Sequence, residues 1–318
     1  MKPLTNIPSF SELRLTQDAI QSMIHNTPVM TNQYIDDLVG GNLYFKCENF
    51  QKVGAFKMRG AASASLRLDA EKRKKGIATH SSGNHAQAVA RAAKVLGIPA
   101  YVVMPQNAPK IKVDGTRSYG AEIIFCEPNQ NAREATLAQV VNKTGAHFIH
   151  PYDNYDVIAG QASAALELLN DYPLLDMIMA PVGGGGLMSG TALAAHYINP
   201  DIIVLGAEPK RVDDAARSLK SGHPEQNLRT DTIADGLRTT LGFLTLELIK
   251  RHVTDILTAE EEEIIQAMKI IWERMKIIIE PSCAVPLAAI LANKSAFKDK
   301  KTGVILTGGN VDLGNLPF

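Results

Sequence analysis

The chain has 318 residues, 33 basic and 33 acidic side chains, and 45% hydrophobic content. Balanced charge excludes the basic footprint of a nucleic-acid binder or of a protein held on an anionic membrane, and the length allows a large core arranged as two lobes. There is no signal-peptide layout and no apolar run of ~18 residues. Three cysteines, Cys47, Cys126 and Cys283, lack metal-ligand spacing, so a soluble cytoplasmic protein with buried thiols is expected.

Along the chain, Ser9 followed by Glu12 fits a capping box and predicts a first helix. Short apolar runs predict strands over 43–48, 77–80, 100–104, 123–126, 147–150, 177–182, 202–207 and 303–307. Apolar residues at helical spacing predict helices over 84–96, 131–143, 157–169 and 187–196. The alternation argues for an α/β architecture with mainly parallel sheets. Glu260 to Glu263 form a run of like charge that suits the positive end of a helix. Residues 77–151 hold four strand–helix units of their own, a candidate small lobe set into a larger one.

Four segments carry candidate chemistry. Lys57 follows Gly54, Ala55 and Phe56 and opens an alanine-rich helical stretch, where a charged lysine is disfavoured by the helix dipole. Ser81, Ser82, Gly83, Asn84 and His85 follow a strand and open a helix, a place where backbone N–H groups gather an anion or simply form a cap. Gly183, Gly184, Gly185 and Gly186 stand between a strand and a helix and can turn their amides on a phosphate. With Glu208 about 20 residues later they also mimic a dinucleotide fingerprint, so a nucleotide-binding oxidoreductase stays open as an alternative, although the glycine rhythm differs. Thr307 ends the last strand, before Gly308 and Gly309. Glu208 and Asp214 are spaced to hold a hard cation, or to form a surface charge cluster with an N-cap.

In this order, the segment from Lys46 to Gly60, the Ser81–His85 turn, the four glycines and Thr307–Asn310 resemble the fold-type-II pyridoxal phosphate enzymes. Within that group the chain resembles the serine racemase and serine/threonine dehydratase family, from about Phe10 to Leu313. The resemblance implies two open, mainly parallel sheets flanked by helices, tryptophan synthase β-like. Residues 1–76 and 152–318 would be the large cofactor-binding domain and 77–151 a small mobile domain. It implies that Lys57 joins the cofactor aldehyde as a Schiff base, with Phe56 beside the ring. Asn84 would touch the phenolic oxygen, Gly183–Gly186 would hold the phosphate, and Thr307 would face the pyridine nitrogen. A neutral hydroxyl at that nitrogen suits elimination better than transamination. The turn Ser81–His85 would grip the substrate carboxylate, and Ser82 would return a proton on the face opposite Lys57. Arg133 would meet a second carboxylate.

The resemblance further implies Mg²⁺ or Ca²⁺ held by Glu208, the carbonyl of Val212 and Asp214, and a homodimer. Lys52, Gln87, Tyr119, Lys276 and Asn310 match a nucleotide-effector pattern of the family. Asn32, Gln33 and Val53 depart from it, which puts regulation by ATP in doubt. The expected activity is elimination from L-serine, L-threonine and L-threo-3-hydroxyaspartate to a 2-oxo acid and ammonia, with serine racemisation beside it. A chain that is predominantly a serine racemase is the alternative within the family. No regulatory module is expected after Phe318.

Overall fold

A computed structural model describes residues 4, 6–108 and 110–318. In chain order it begins with α1 (Phe10–Ile20), β1 (Val29–Met30), α2 (Gln33–Val39), β2 (Asn42–Cys47), α3 (Lys57–Leu66) and α4 (Ala70–Lys75). There follow β3 (Ile77–His80), α5 (Asn84–Leu96), β4 (Ala100–Pro105), α6 (Lys110–Ser118), β5 (Glu122–Cys126), α7 (Gln130–Thr144) and β6 (His147–Phe148). The chain continues through α8 (Tyr155–Asp171), β7 (Met177–Pro181), α9 (Gly186–Ile198), β8 (Ile203–Pro209), α10 (Asp214–Ser221), α11 (Phe243–His252) and β9 (Asp255–Ala259). It closes with α12 (Glu261–Ile270), α13 (Pro281–Ala292) and β10 (Lys301–Leu306).

The strands divide between two sheets. One has the order β5-β4-β3-β6 and is wholly parallel; the other has the order β1-β2-β10-β7-β8-β9 and is parallel except for the β1/β2 pair. Central strands such as β7 are buried along their whole length, because helices cover both faces. Side chains still alternate between the two cores. Met177 and Met179 enter the core under α12 and α13, while Ile178 and Ala180 enter the core under α8 and α9.

The eight predicted strands and four predicted helices all form, with ends shifted by two residues or fewer. Ser9 makes the predicted capping box on α1, its hydroxyl accepting from Glu12 N. Two strands escaped the pattern. β1 has only two residues, and β9 is an edge strand whose polar Asp255 and Thr258 mask its apolar positions. All three cysteines are buried and free. Among the described residues no helix is long and apolar enough to cross a membrane.

Candidate active site

Four helices start at one cleft. Lys57 is the first residue of α3, Asn84 of α5 and Gly186 of α9, and Ser282 lies in the first turn of α13. All four line a single cleft with Phe56, Tyr152, Gly183–Gly185, Gly236, Leu237, Glu280 and Thr307. Neither α5 nor α9 has a side-chain cap, so amides of their first turns stay available. Partial positive charge from several helix starts therefore converges there, as an anion requires.

The glycine loop is shaped by close neighbours. A Cβ on Gly184 would stand 2.3 Å from the Tyr152 ring, and Gly185 has φ +84°, where a side chain is strained. Thr245 Oγ1 donates to Gly184 O at 2.9 Å and holds the loop from the other side.

Lys57 is partly buried, and its Nζ donates to Pro151 O at 2.8 Å. The amine lies 5.1 Å from the centre of the Phe56 ring. Burial lowers its pKa to about 8, against the opposing charge of Glu280. Glu280 is 5% exposed, and burial, helped by Asp235, pushes its carboxyl up to about 8.

Asn84 is held by both ends of its amide. Its Nδ2 donates to Glu280 Oε1 at 2.8 Å, and its Oδ1 accepts from Asn310 Nδ2 at 2.9 Å. Asn310 Nδ2 also donates to Val53 O at 2.7 Å, which fixes that amide in turn. One Nδ2–H of Asn84, a residue of the cleft lining, is left without a partner among the described residues.

Ser81, Ser82 and Gly83 form the turn between β3 and α5, where Gly83 N donates to Ser81 Oγ at 3.3 Å. His85 behaves differently from its neighbours. It is 3% exposed, its Nε2 meets Ile149 O at 3.1 Å, and burial drives its pKa down to about 3. Arg133 sits in α7, away from the cleft lining, with its charge felt at His80 and Cys126 and its Nε buried without a partner.

Glu208, at the end of β8, lies apart from the cleft and is fully buried. Its oxygens accept from Ala215 N and Ala216 N at 3.2 and 3.0 Å, in the first turn of α10. Buried and outside the cleft that the glycine loop lines, Glu208 is not placed to meet a ribose there, which removes the dinucleotide reading of the glycine loop. Asp214 is also fully buried; it accepts from Leu241 N at 3.1 Å, and its Oδ1 has no partner. Burial raises both carboxyls, Asp214 to about 6, and the charge of Asp214 raises Glu208 further.

Several cleft residues went unforeseen in the sequence: Tyr152, Gly236, Leu237, Glu280 and Ser282. Glu280-Pro281 was readable as a helix start with proline at its first position, but nothing local ties it to Lys57.

A family model described as pyridoxal-phosphate dependent enzyme matches residues 20–308. The β-hydroxyaspartate dehydratase of Paracoccus denitrificans is 48% identical over 312 residues, covering 98% of this chain and 99% of that protein. The serine racemase of Dictyostelium discoideum is 48% identical over 322 residues, covering 99% and 98%. The crystal structure of the T.th. threonine deaminase superposes with a TM-score of 0.92 at 40% identity, covering 96% of this chain and 99% of that one.

Proposed function

This chain belongs to the pyridoxal-phosphate dependent enzyme family, and from that premise we propose that it is a dehydratase of 3-hydroxy amino acids with serine racemase activity. Its substrates are L-serine, L-threonine and L-threo-3-hydroxyaspartate, and elimination gives a 2-oxo acid and ammonia. One observation carries this reading: a lysine amine brought down to about pKa 8 where four helices begin. An amine of that pKa is about one-tenth neutral at pH 7, far more than an ordinary lysine.

The cleft fits the cofactor. Tyr152 packs so tightly on Gly184, and Leu241 and Thr245 on Gly185, that only a bare backbone fits in this loop, and the uncapped start of α9 offers amides to a phosphate. When bound, pyridoxal phosphate supplies an aldehyde for Lys57 and an electron sink for the substrate Cα. Thr307 would offer a neutral hydroxyl to the ring nitrogen, Phe56 would flank the ring, and Asn84 would serve the phenolic oxygen. The amides of Ser81 to His85 hold the substrate carboxylate. Lys57 would take the Cα proton, the β-hydroxyl would pick up a proton and leave as water, and the released enamine would then consume one water to give the 2-oxo acid and ammonia. Ser82 returns a proton from the opposite face when the product is the D-amino acid. Arg133, outside the cleft lining, would reach a second carboxylate when the small domain closes on the large one, and its unpartnered Nε supports that role.

Glu208, the Val212 carbonyl and Asp214 hold Mg²⁺ or Ca²⁺, a role that suits two buried carboxylates with an oxygen to spare. Residues 77–151 act as the small mobile domain against 1–76 and 152–318, which the division of strands between sheets supports. The enzyme works as a cytoplasmic homodimer, consistent with its free buried thiols and with the exposed Phe50, Ile278 and Phe318. ATP stays outside the reading, since Asn310 is already committed to Val53 and Asn84.

The test is a substrate panel on holoenzyme, with 2-oxo acid and D-serine measured together. Lys57→Ala is expected to abolish both products, and Ser82→Ala to remove D-serine while leaving most elimination. Arg133→Ala is expected to lose roughly tenfold more kcat/KM on L-threo-3-hydroxyaspartate than on L-threonine, as for a bond to a charged group. Borohydride-reducible cofactor surviving in Lys57→Ala would overturn the assignment.

A further inference from the structure

The crossover from β6 to α8 runs His150-Pro151-Tyr152-Asp153-Asn154, and it touches the cleft from several sides. His150 Nδ1 accepts from Asp153 N at 2.8 Å and from Tyr152 N at 3.3 Å. Its Nδ1 therefore carries a lone pair, and its proton sits on Nε2. Burial, with the charges of His80 and Lys57, lowers its pKa to about 4, so the ring is neutral in use. The ring also stands edge-on to Tyr152, with centres 4.7 Å apart. Pro151 fixes its own φ and keeps His150 extended, which prepares the turn.

Three consequences follow from where this turn places its atoms. Pro151 O accepts from Lys57 Nζ. The Tyr152 ring covers Gly184, and its backbone lies against Gly186. Asp153 Oδ1 accepts from Leu244 N at 2.8 Å and Thr245 N at 3.2 Å, capping α11. Thr245 then donates to Gly184 O. The glycine loop is thus gripped by Tyr152 and Thr245, and both grips trace to one turn.

We infer that His150 is a positioning residue: its Nδ1 pins the 150–153 turn, and the turn sets both the reacting lysine and the phosphate loop. The inference rests on the proposed role of Lys57. It assigns His150 no contact with substrate. Asparagine at this position places Oδ1 the same number of bonds from Cα as Nδ1, and so keeps the acceptor. Glutamine carries its oxygen one bond too far.

The test uses holoenzyme of wild type, His150→Asn, His150→Gln and His150→Ala. Retention of pyridoxal 5′-phosphate after dilution and hydrogen exchange across 149–155 are measured beside kcat and KM. His150→Asn is expected to stay within about twofold of wild type. His150→Gln and His150→Ala are expected to release cofactor roughly tenfold faster and to exchange faster in this segment, as two backbone donors lose their acceptor. Equal loss in Asn and Gln overturns the inference, because the ring's packing and not Nδ1 would then matter. Unchanged retention in Gln overturns it as well. Should His150→Ala fail to fold, the Asn and Gln pair still decides. Failure of the Lys57 role shows separately, as borohydride-reducible cofactor in Lys57→Ala.

Discussion

Glu48 and Glu167 lie buried against Arg59 and Lys46, whereas Glu208 and Asp214 lie buried against backbone amides and each other's charge. In the first cluster Arg59 Nε and Nη2 donate to Glu48 at 2.7 and 2.8 Å, and Nη1 and Nη2 both donate to Glu167 at 2.7 Å. Lys46 adds an ion pair to Glu167 at 2.6 Å. Burial acts to raise the Glu48 pKa, yet the Arg59 guanidinium brings it below its usual value. In the second cluster both pKa values rise. Arg217, whose charge reaches Asp214, is spent on Asp213. One cluster is complete within the chain; the other has its anions and lacks a cation of its own. The difference separates a structural weld, which ties β2 and α8 to the helix that bears Lys57, from a pair of buried carboxyls without a matching cation among the described residues.

Breaking the complete cluster should cost most. Arg59→Met leaves Glu48 and Glu167 buried with only Lys46 as counter-charge, and removal of one partner from a buried pair typically costs about 3–5 kcal/mol. Urea unfolding should show that loss. The matching change in the second cluster, Glu208→Gln in cation-free protein, should cost far less or even stabilise, because it removes one of two repelling anions. Equal losses in the two variants would erase the distinction.

The next largest effect is one of pH. Asp214 titrates near 6 when folded, above its unfolded value near 3.8. A raised folded pKa means that the folded state holds the proton more tightly. Stability is then full below the unfolded value and is lost as pH rises through the folded one. Cation-free protein should therefore lose on the order of 3 kcal/mol through Asp214 between about pH 4 and 6, and more through Glu208, which is raised as well and coupled to it. The first cluster should contribute the opposite slope, since Glu48 is lowered. Glu208→Gln should flatten the fall; a fall that persists undiminished would place its origin elsewhere.

Supplying the cation should undo that penalty. Ligand at a hundred times its dissociation constant stabilises by about 2.7 kcal/mol when it binds only the folded state. Mg²⁺ or Ca²⁺ added to chelator-treated protein should raise Tm in wild type and leave Asp214→Asn and Arg59→Met with a reduced and an unchanged response, respectively. No rise in wild type across a wide titration would count against the second cluster as a metal site.

These contrasts also mark what the sequence disclosed. Lys57, Asn84, Gly183–Gly186 and Thr307, which the fold brings to one cleft, could be singled out because each lies in a short segment of turn or helix-start chemistry; Ser81, Ser82, Gly83 and His85 lie beside them in sequence but outside the cleft lining. The strands were legible because burial on both faces makes them nearly continuous apolar runs. Tyr152, Glu280 and His150 were not, since their roles arise only when segments distant in sequence meet. Asn84 and Glu280, for example, are 196 residues apart. The Arg59 cluster was hidden for a further reason. Lys46, Glu48 and Arg59 are charged residues in ordinary positions, and only the fold reveals that they are buried.

The smallest effect concerns redundancy inside the complete cluster. Thr27 Oγ1 donates to Glu48 Oε1 at 2.5 Å, an oxygen that Arg59 Nη2 also serves. Thr27→Val removes this donor with little change in volume. Glu48 keeps its bidentate guanidinium, so no buried anion is left bare, and the cost should be that of a hydrogen bond to a charged group, about 1.5–3 kcal/mol at most and nearer the lower end. The analogous donor in the second cluster is the Leu241 amide, which no side-chain change removes. If unfolding of Thr27→Val costs as much as Arg59→Met, Glu48 depends on each donor separately, and the cluster is a minimally sufficient set without reserve.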